Sequence, residues 1–256
     1  MIEIVNVCKS FDGVEVLKDI SATFHAGKTN LIIGQSGSGK TVLMKSIIGI
    51  HHVTSGKVLY NDRNFTAMSS NEVKKIRQEV GMLFQGSALF DSMTVEENVR
   101  FPLEMFSSLS KEERDERVNF CLKRVNLLNA NKLFPAEISG GMQKRVAIAR
   151  AIVLQPTYLF CDEPNSGLDP KTAILIDQLI QEITSEYNIT TIINTHDMNS
   201  VMEIGDHVLF INKGEKSWEG DKDSIFESDN EDLNDLVFAS DLFKKIKKNY
   251  ILSKTT

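Results

Sequence analysis

The apolar and polar positions of the N-terminal quarter predict three short strands followed by a helix. Residues 1–7 and 16–24 alternate in polarity or are rich in β-branched residues, and turn residues end both stretches. Residues 31–33 form a compact apolar run, which is typical of a strand buried on both faces. A glycine-rich turn at 34–39 separates this run from a segment with apolar residues at helical spacing. Strand, turn and helix in this order indicate the start of a βαβ unit.

The pattern becomes mainly helical from about residue 72 to residue 154. Ser110 and Glu113 stand three residues apart in front of a segment with helical periodicity, which predicts a capping box there. Another helix is predicted at 146–154. Beyond this region strands and helices alternate again. We predict strands at 157–161, 190–193 and 207–212, and a helix at 171–186.

The composition is that of an ordinary globular chain. Its 256 residues, 41% of them hydrophobic, are enough for one large domain or two modest ones. No apolar run approaches the roughly 18 residues of a membrane span, and no secretory signal is visible at the N-terminus. We therefore expect a soluble cytosolic chain. The formal charge of −6 argues against nucleic acid as a partner.

Two smaller features add to this picture. Cys8, Cys121 and Cys161 are far apart and show no zinc-binding spacing, so we expect reduced, buried thiols. The C-terminal tail is segregated by charge: residues 221–243 contain eight acids and one lysine, and residues 244–256 contain five lysines and no acid. This tail is either a solvated terminal helix or a contact with a partner or another subunit.

The glycine-rich turn has the spacing of a phosphate-binding loop. Its residues are Gly34, Gln35, Ser36, Gly37, Ser38, Gly39, Lys40 and Thr41. The glycines let backbone amides point at phosphate oxygens, and the following helix directs its positive end at the same place. Lys40 supplies a positive charge for the terminal phosphates, and the Thr41 hydroxyl is a ligand for Mg²⁺.

Two carboxylates end a predicted buried strand at 158–161. Asp162 at the strand end is suited to hold Mg²⁺, directly or through water. Glu163 is then placed to polarise an attacking water molecule.

A second anion site is predicted in a distant segment. Ser139, Gly140 and Gly141 precede the predicted helix 146–154, and a serine with glycines at a helix N-terminus favours an anion. One nucleotide does not need two such sites. Two subunits that face each other head to tail would use both.

With these motifs the chain resembles the ATP-binding subunits of ABC transporters over residues 1–220. The resemblance implies that Phe11 stacks on adenine, that Gln85 is the Q-loop glutamine and a Mg²⁺ ligand, and that His196 is the switch histidine. Ser139, Gly140 and Gly141 match the signature, and Asp169 ends the D-loop that begins at Ser166. The chain departs from the commonest pattern at Ile138, Met142 and Asn165. Catalytic roles are implied for Glu163, His196 and Gln85.

The resemblance implies an α/β fold: a P-loop NTPase core with a parallel sheet, an N-terminal antiparallel β subdomain, and a helical subdomain inserted at about 86–154. The ATPase domain spans 1–220, and the charged tail spans 221–256. The ligands are ATP and Mg²⁺. The expected partners are a second copy of the chain and a membrane permease, which would hold the chain at the inner face of the cell membrane.

The cargo is suggested by residues 83–99, where the segment LFQGSALFDSMTVEENV resembles the ATPases of MCE-type, Mla-like phospholipid transporters. An MCE-domain lipid-binding protein is then a further partner. Methionine import and lipoprotein release share the core motifs and stay as alternatives. ABC ATPases that act on DNA or in translation usually have tandem ATPase units or a long coiled coil, and this chain shows one P-loop and no sustained heptads.

Overall fold

The structure, a computed structural model, describes residues 1–254, apart from the side chains of Ile251, Ser253 and Lys254. The predicted tail therefore ends two residues beyond the described part of the chain. The strands are β1 Ile2–Phe11, β2 Val14–Phe24, β3 Thr29–Ile33, β4 Ser55–Tyr60, β5 Arg63–Asn64, β6 Val80–Leu83, β7 Tyr158–Asp162, β8 Thr190–Asn194, β9 His207–Asn212 and β10 Glu215–Gly220. The helices are α1 Lys40–Ile47, α2 Ser70–Gln78, α3 Val95–Phe106, α4 Lys111–Arg124, α5 Gly140–Ile152, α6 Pro170–Glu186, α7 Met198–Ile204, α8 Glu231–Val237 and α9 Asp241–Lys254.

The chain forms two compact units. The first contains residues 1–67 and the chain from residue 194 onward, and the second contains residues 68–193. In the first unit, β1, β2, β4 and β5 form an antiparallel sheet in the order β2-β1-β4-β5. The strand β3 pairs in parallel with β9, and β10 pairs with β9 in the antiparallel sense. All five residues of β3 are buried, as its apolar run predicts.

The N-terminal hairpin is longer than its apolar pattern indicates. β1 continues to Phe11 and β2 begins at Val14, with only Asp12 and Gly13 between them. Both turn residues have positive φ, 47° and 82°, which suits a tight two-residue connection between antiparallel strands. The ends of the two strands next to the turn are therefore paired although their residues are exposed or half-buried and show no regular apolar pattern.

The second unit holds the predicted helical region. The capping box at α4 is confirmed: the Ser110 hydroxyl accepts from the Glu113 amide at 3.2 Å, and the Glu113 carboxylate accepts from the Ser110 amide at 2.7 Å. The prediction of a helix at 146–154 was wrong at both ends, because α5 spans Gly140–Ile152. Its N-cap is Ser139, whose hydroxyl accepts from the Met142 amide at 3.3 Å. This cap lets the helix begin with two glycines despite their poor helix propensity.

Beyond β10 the first part of the tail packs within its own unit. Leu233 and Val237 of α8 are buried, and Asn230 donates to the main-chain oxygen of Ser217 at 3.0 Å. In α9 the Lys247 ammonium lies 4.7 Å from the centroid of Phe238. Among the described residues, no helix has the length and apolar character needed to cross a membrane.

The three cysteines carry free thiols, with Cys121 and Cys161 buried and Cys8 half-buried. Burial raises the pKa of the Cys121 thiol to about 11 and also raises the pKa of the Cys161 thiol. Thiols in such surroundings are protonated at neutral pH, which fits a packing role.

A carboxylate on β10 makes part of the stability dependent on pH. Glu219 lies 3.0 Å from His207 Nε2 and 2.8 Å from Lys216 Nζ, and these partners, His207 first, lower its pKa from 4.5 to about 2. A lowered carboxylate pKa stabilises the fold above pH 4.5, and the contribution is lost as the pH falls towards 2. We expect Glu219→Gln to lower the Tm by about 2–4 °C at pH 7, and the difference to be clearly smaller at pH 3, since the contribution is lost fully only below the folded-state pKa of about 2. Thermal unfolding from pH 7 to pH 3 tests this, with Glu215→Gln at an exposed ion pair as the control.

Candidate active site

The phosphate-binding loop connects β3 to α1 in the first unit and leaves no room for a side chain at its first residue. A Cβ atom on Gly34 would lie 2.3 Å from the Ile211 carbonyl oxygen and 2.6 Å from the Ser38 hydroxyl. At Gly37, with φ 79°, a Cβ atom would meet nothing within 4 Å. Gly34 is therefore required for close packing, and Gly37 for its backbone conformation.

The loop has the features of an anion cradle. Gly39 is the N-cap of α1 and provides no side-chain cap, so the first amides of the helix receive no such hydrogen bond. The Ser38 hydroxyl is buried, and no hydrogen-bond partner for it occurs among the described residues. The Lys40 ammonium donates to the main-chain oxygens of Gly34 at 2.8 Å and Gln35 at 3.0 Å. A buried hydroxyl, a helix N-terminus and a buried ammonium together fit a phosphate group.

The two glycines should therefore respond differently to substitution. We expect Gly34→Ala to lower the Tm of the nucleotide-free protein by about 5 °C or more, because the methyl group overlaps backbone atoms. Gly37→Ala adds only the strain of a left-handed alanine, about 1 kcal/mol, so its effect should be clearly smaller. Differential scanning fluorimetry without nucleotide makes the comparison. Equal losses would contradict the packing role of Gly34.

Phe11 and His196, which the resemblance links to the nucleotide, also belong to the first unit. Phe11 is 38% exposed, and the Lys9 ammonium lies 4.5 Å from its ring centroid, while His51 approaches the ring edge-on at 5.2 Å. His196 is exposed in the loop that follows β8. The preceding Thr195 donates its amide to the Ile32 oxygen at 3.2 Å, which holds this loop to β3.

In the second unit the structure brings Gln85 and Glu163 together. Glu163 follows β7 with φ 47°, a left-handed conformation that is uncommon outside glycine and is often found at functional sites. The Gln85 amide nitrogen donates to the Glu163 carboxylate at 3.0 Å and reaches the Ser166 hydroxyl at 3.4 Å. Gln85, Glu163 and Ser166, which the resemblance assigns to the Q-loop, the general base and the start of the D-loop, thus share one hydrogen-bonded cluster.

The signature residues form the N-terminus of α5. Ser139 and Gly140 are exposed, and a Cβ atom on Gly141 would lie 2.7 Å from the Thr172 methyl group at the start of α6. Met142, which stands where the commonest signature has glutamine, offers no amide. The neighbouring Gln143 does not replace that amide, because it donates to the Pro135 oxygen at 2.9 Å.

Asp169 has a structural contact of its own. It is the N-cap of α6, and its carboxylate accepts from the Thr172 amide at 3.0 Å. Its hydrogen bonds with Thr172 lower the pKa of the Asp169 carboxyl. The negative charge at this helix N-terminus is therefore favourable.

Two cations on α5 were missed by the sequence reasoning. The buried Lys144 donates to the main-chain oxygen of Gln85, and Arg150 donates to the oxygens of Ser87 and Ala88, both at 2.7 Å. Burial lowers the pKa of both cations. Ser87 and Ala88 have φ of 61° and 48°, so the segment 85–88, the Q-loop segment, follows an unusual path that α5 holds. A sequence signal existed only for Arg150, which interrupts the apolar run 146–152, whereas Lys144 stands in the polar stretch 143–145.

Hard oxygen donors suit Mg²⁺, and the predicted ligands provide them. Thr41 presents a hydroxyl in the first turn of α1, and Asp162 presents a carboxylate at the end of β7. In the described part of the chain no three His, Cys, Asp or Glu side chains cluster as a metal site. A Mg²⁺ ion that shares phosphate oxygens and water needs only one or two protein ligands, so the donor atom of either residue by itself fits the coordination chemistry of such an ion.

A model of the ABC transporter family matches residues 17–166, which is more than half of the chain. The chain belongs to this family. ABC ATPases bind ATP with Mg²⁺ and hydrolyse it, and this chain is accordingly an ATP hydrolase. The α/β fold that the sequence predicts is confirmed by the solved cassettes described next.

Three similar proteins illustrate the relationship. The methionine import ATP-binding protein MetN of Clostridium tetani is 36% identical over 242 residues, covering 94% of this chain and 76% of that protein. The cassette MJ0796, solved as a dimer in a post-hydrolysis state with ADP and Pi, is 32% identical with a TM-score of 0.78, covering 87% of this chain and 99% of that chain. The protein cbiO1 of Clostridium perfringens, part of the transporter complex cbiONQ, is 30% identical with a TM-score of 0.83, covering 90% of this chain and 91% of that chain.

Proposed function

We propose that two copies of this chain form a head-to-tail ATPase dimer that drives a separate membrane permease. The observation that carries the proposal is the second anion site: Ser139 caps α5 in a chain that has its own phosphate-binding loop. Each loop would hold an ATP molecule that the signature of the other copy covers. The cassette MJ0796, which was solved as a dimer with ADP and Pi, supports the formation of a dimer. The permease would keep the chain at the inner face of the membrane.

Each predicted residue receives a role in this proposal, and Gln85 receives two, as a catalytic residue and as a ligand of Mg²⁺. The loop residues Gly34, Ser36, Gly37, Ser38 and Gly39 bind phosphate through their amides, and Lys40 adds charge. Bound Mg²⁺ supplies charge neutralisation at the terminal phosphates, and Thr41, Asp162 and Gln85 would hold it.

The remaining roles concern the base, the attacking water and the second copy. Glu163 accepts a proton from the attacking water, and His196 orients the reacting group. Phe11 stacks on adenine. Ser139, Gly140, Gly141 and Asp169 serve the opposite copy. These roles follow from the resemblance together with the contacts of each residue.

The comparisons favour methionine as the cargo. The curated relatives include MetN proteins of several bacteria at 36% to 38% identity, which agrees with the alternative drawn from the sequence rather than with lipid transport. We therefore take methionine import as the first candidate. Lipid transport stays as the second candidate because of the segment 83–99 and Met142 in the signature. Nothing among the comparisons supports an MCE-domain partner.

Reconstitution tests the cargo. A membrane permease that co-purifies with this chain is placed with it in proteoliposomes that contain Mg²⁺ and ATP in the compartment of the ATPase. For a methionine importer we expect ATP-dependent uptake of labelled methionine in the presence of its binding protein. The Glu163→Gln variant of the same complex provides the matched control. ATP-dependent transfer of a fluorescent phospholipid without methionine uptake would instead establish the second candidate.

A further inference from the structure

The helix that carries the signature holds the Q-loop segment through a buried lysine. Lys144 is only 4% exposed, and its ammonium donates to the main-chain oxygen of Gln85. A buried ammonium is costly unless it is paired, so this contact strongly constrains both groups. Burial lowers the pKa of Lys144, while Cys161 and Glu163 act in the opposite direction. The lysine is therefore positioned within the electrostatic range of the proposed base.

Gln85 connects the lysine to the reacting groups. Its main-chain oxygen accepts from Lys144, and its side-chain amide donates to the Glu163 carboxylate at 3.0 Å. A shift of the Gln85 main chain would consequently move the amide away from Glu163. Arg150 donates two hydrogen bonds to the main-chain oxygens of the next residues, Ser87 and Ala88, and these bonds hold both residues in their left-handed conformations. These contacts fix the segment after Gln85, and the Ser87 amide donates to the Phe84 oxygen at 2.9 Å across the turn. Lys144 is the side chain that binds the carbonyl group of Gln85 itself.

We propose that Lys144 is a positioning residue for ATP hydrolysis, which holds the carbonyl group of Gln85 and thereby keeps the Gln85 amide on the Glu163 carboxylate. Lys144 acts through Gln85 and not on the reacting atoms. The competing explanation is that the lysine only stabilises the fold of the second unit. The proposal rests on the proposed role of Glu163 as the base.

A double-mutant cycle tests the proposal. The values of kcat and KM for hydrolysis of Mg-ATP are measured for the wild type, Lys144→Met, Gln85→Ala and the double variant. We expect Lys144→Met alone to lower kcat about tenfold, with KM for ATP changed less than about twofold. In the Gln85→Ala background the same substitution should change kcat less than about twofold, because the group through which it acts is gone. Lys144→Arg, which keeps a cationic donor, should recover kcat to within about threefold of the wild type.

Arg117→Met provides a matched control for the loss of a cation that binds main-chain oxygens. Arg117 donates to the oxygens of Val153 at 2.9 Å and Ile152 at 3.0 Å, at the far end of α5 from the signature. This control should lower the Tm but leave kcat unchanged. If Lys144→Met does not fold, Lys144→Gln replaces it in the same cycle.

Three results would overturn the proposal: an unchanged kcat in the folded Lys144→Met variant (or in Lys144→Gln where that variant replaces it), equal losses in both backgrounds, or an equal loss of kcat in Arg117→Met. Failure of the underlying function is recognised separately. A Glu163→Gln variant that hydrolyses ATP at the wild-type rate removes the base itself. A Glu163→Gln variant that is slow, together with an additive cycle, removes only the role of Lys144.

Discussion

Replacement of Glu163 by glutamine is expected to slow ATP hydrolysis by about 10²–10⁴-fold while ATP still binds. The amide cannot accept the proton of an attacking water molecule. Its oxygen can still accept the hydrogen bond that the Gln85 amide donates at 3.0 Å, so the local structure should persist. Phosphate release under saturating Mg-ATP gives the rate, and isothermal titration calorimetry gives the affinity.

The control for this prediction is Glu186→Gln, which changes a carboxylate paired with Arg124 on the surface of the same unit. That variant should hydrolyse ATP at the wild-type rate. Wild-type turnover in Glu163→Gln would show that another group is the base. A large loss of ATP affinity in Glu163→Gln would show that the residue serves binding instead.

Replacement of Lys40 by alanine is expected to weaken ATP binding by about 10- to 100-fold, because charge-assisted hydrogen bonds contribute about 1.5–3 kcal/mol each. The Lys40 ammonium is buried and donates to the main-chain oxygens of Gly34 and Gln35. To bind ATP, the ammonium only has to exchange these two acceptors for phosphate oxygens. The affinity is best measured in the Glu163→Gln background, where ATP is not consumed during the titration.

Lys45→Ala is the control for Lys40, since it removes a cation from the last turn of the same helix. We expect its ATP affinity to stay within about twofold of the parent, as the loop amides and Lys40 are unchanged. Lys40→Met keeps most of the apolar stem and separates loss of charge from loss of packing. An unchanged affinity in both Lys40 variants would remove the residue from its proposed role.

The sequence predicts those parts of the fold whose signals are local. The apolar runs that give β3 and β9, and the serine and glutamate that cap α4, depend on neighbouring residues alone. In contrast, the sequence pattern does not predict β10, because its six residues are mostly polar. Among the described residues this strand pairs with one other strand, β9. The start of α5 was missed because two glycines usually end a helix, and here the Ser139 cap begins one.

The candidate active site also divides into residues with a local sequence signal and contacts that only the folded chain brings together. The phosphate-binding loop and the acids after β7 are contiguous motifs, so their residues could be predicted from spacing. The contact of Gln85 with Glu163 joins positions 78 residues apart, and only the folded chain shows it. The roles of Lys144 and Arg150 depend on where the Q-loop segment passes over α5.

In the proposed dimer, ATP joins two copies of this chain through the phosphate-binding loop of one and the signature of the other. Size-exclusion chromatography with light scattering on Glu163→Gln, with and without Mg-ATP, measures whether this dimer forms. We predict a dimer with ATP and a monomer without it, and a monomer under both conditions when Ser139→Arg is added. A dimer that forms equally without ATP, or that persists with Ser139→Arg, would contradict an ATP-dependent dimer that is joined through the signature.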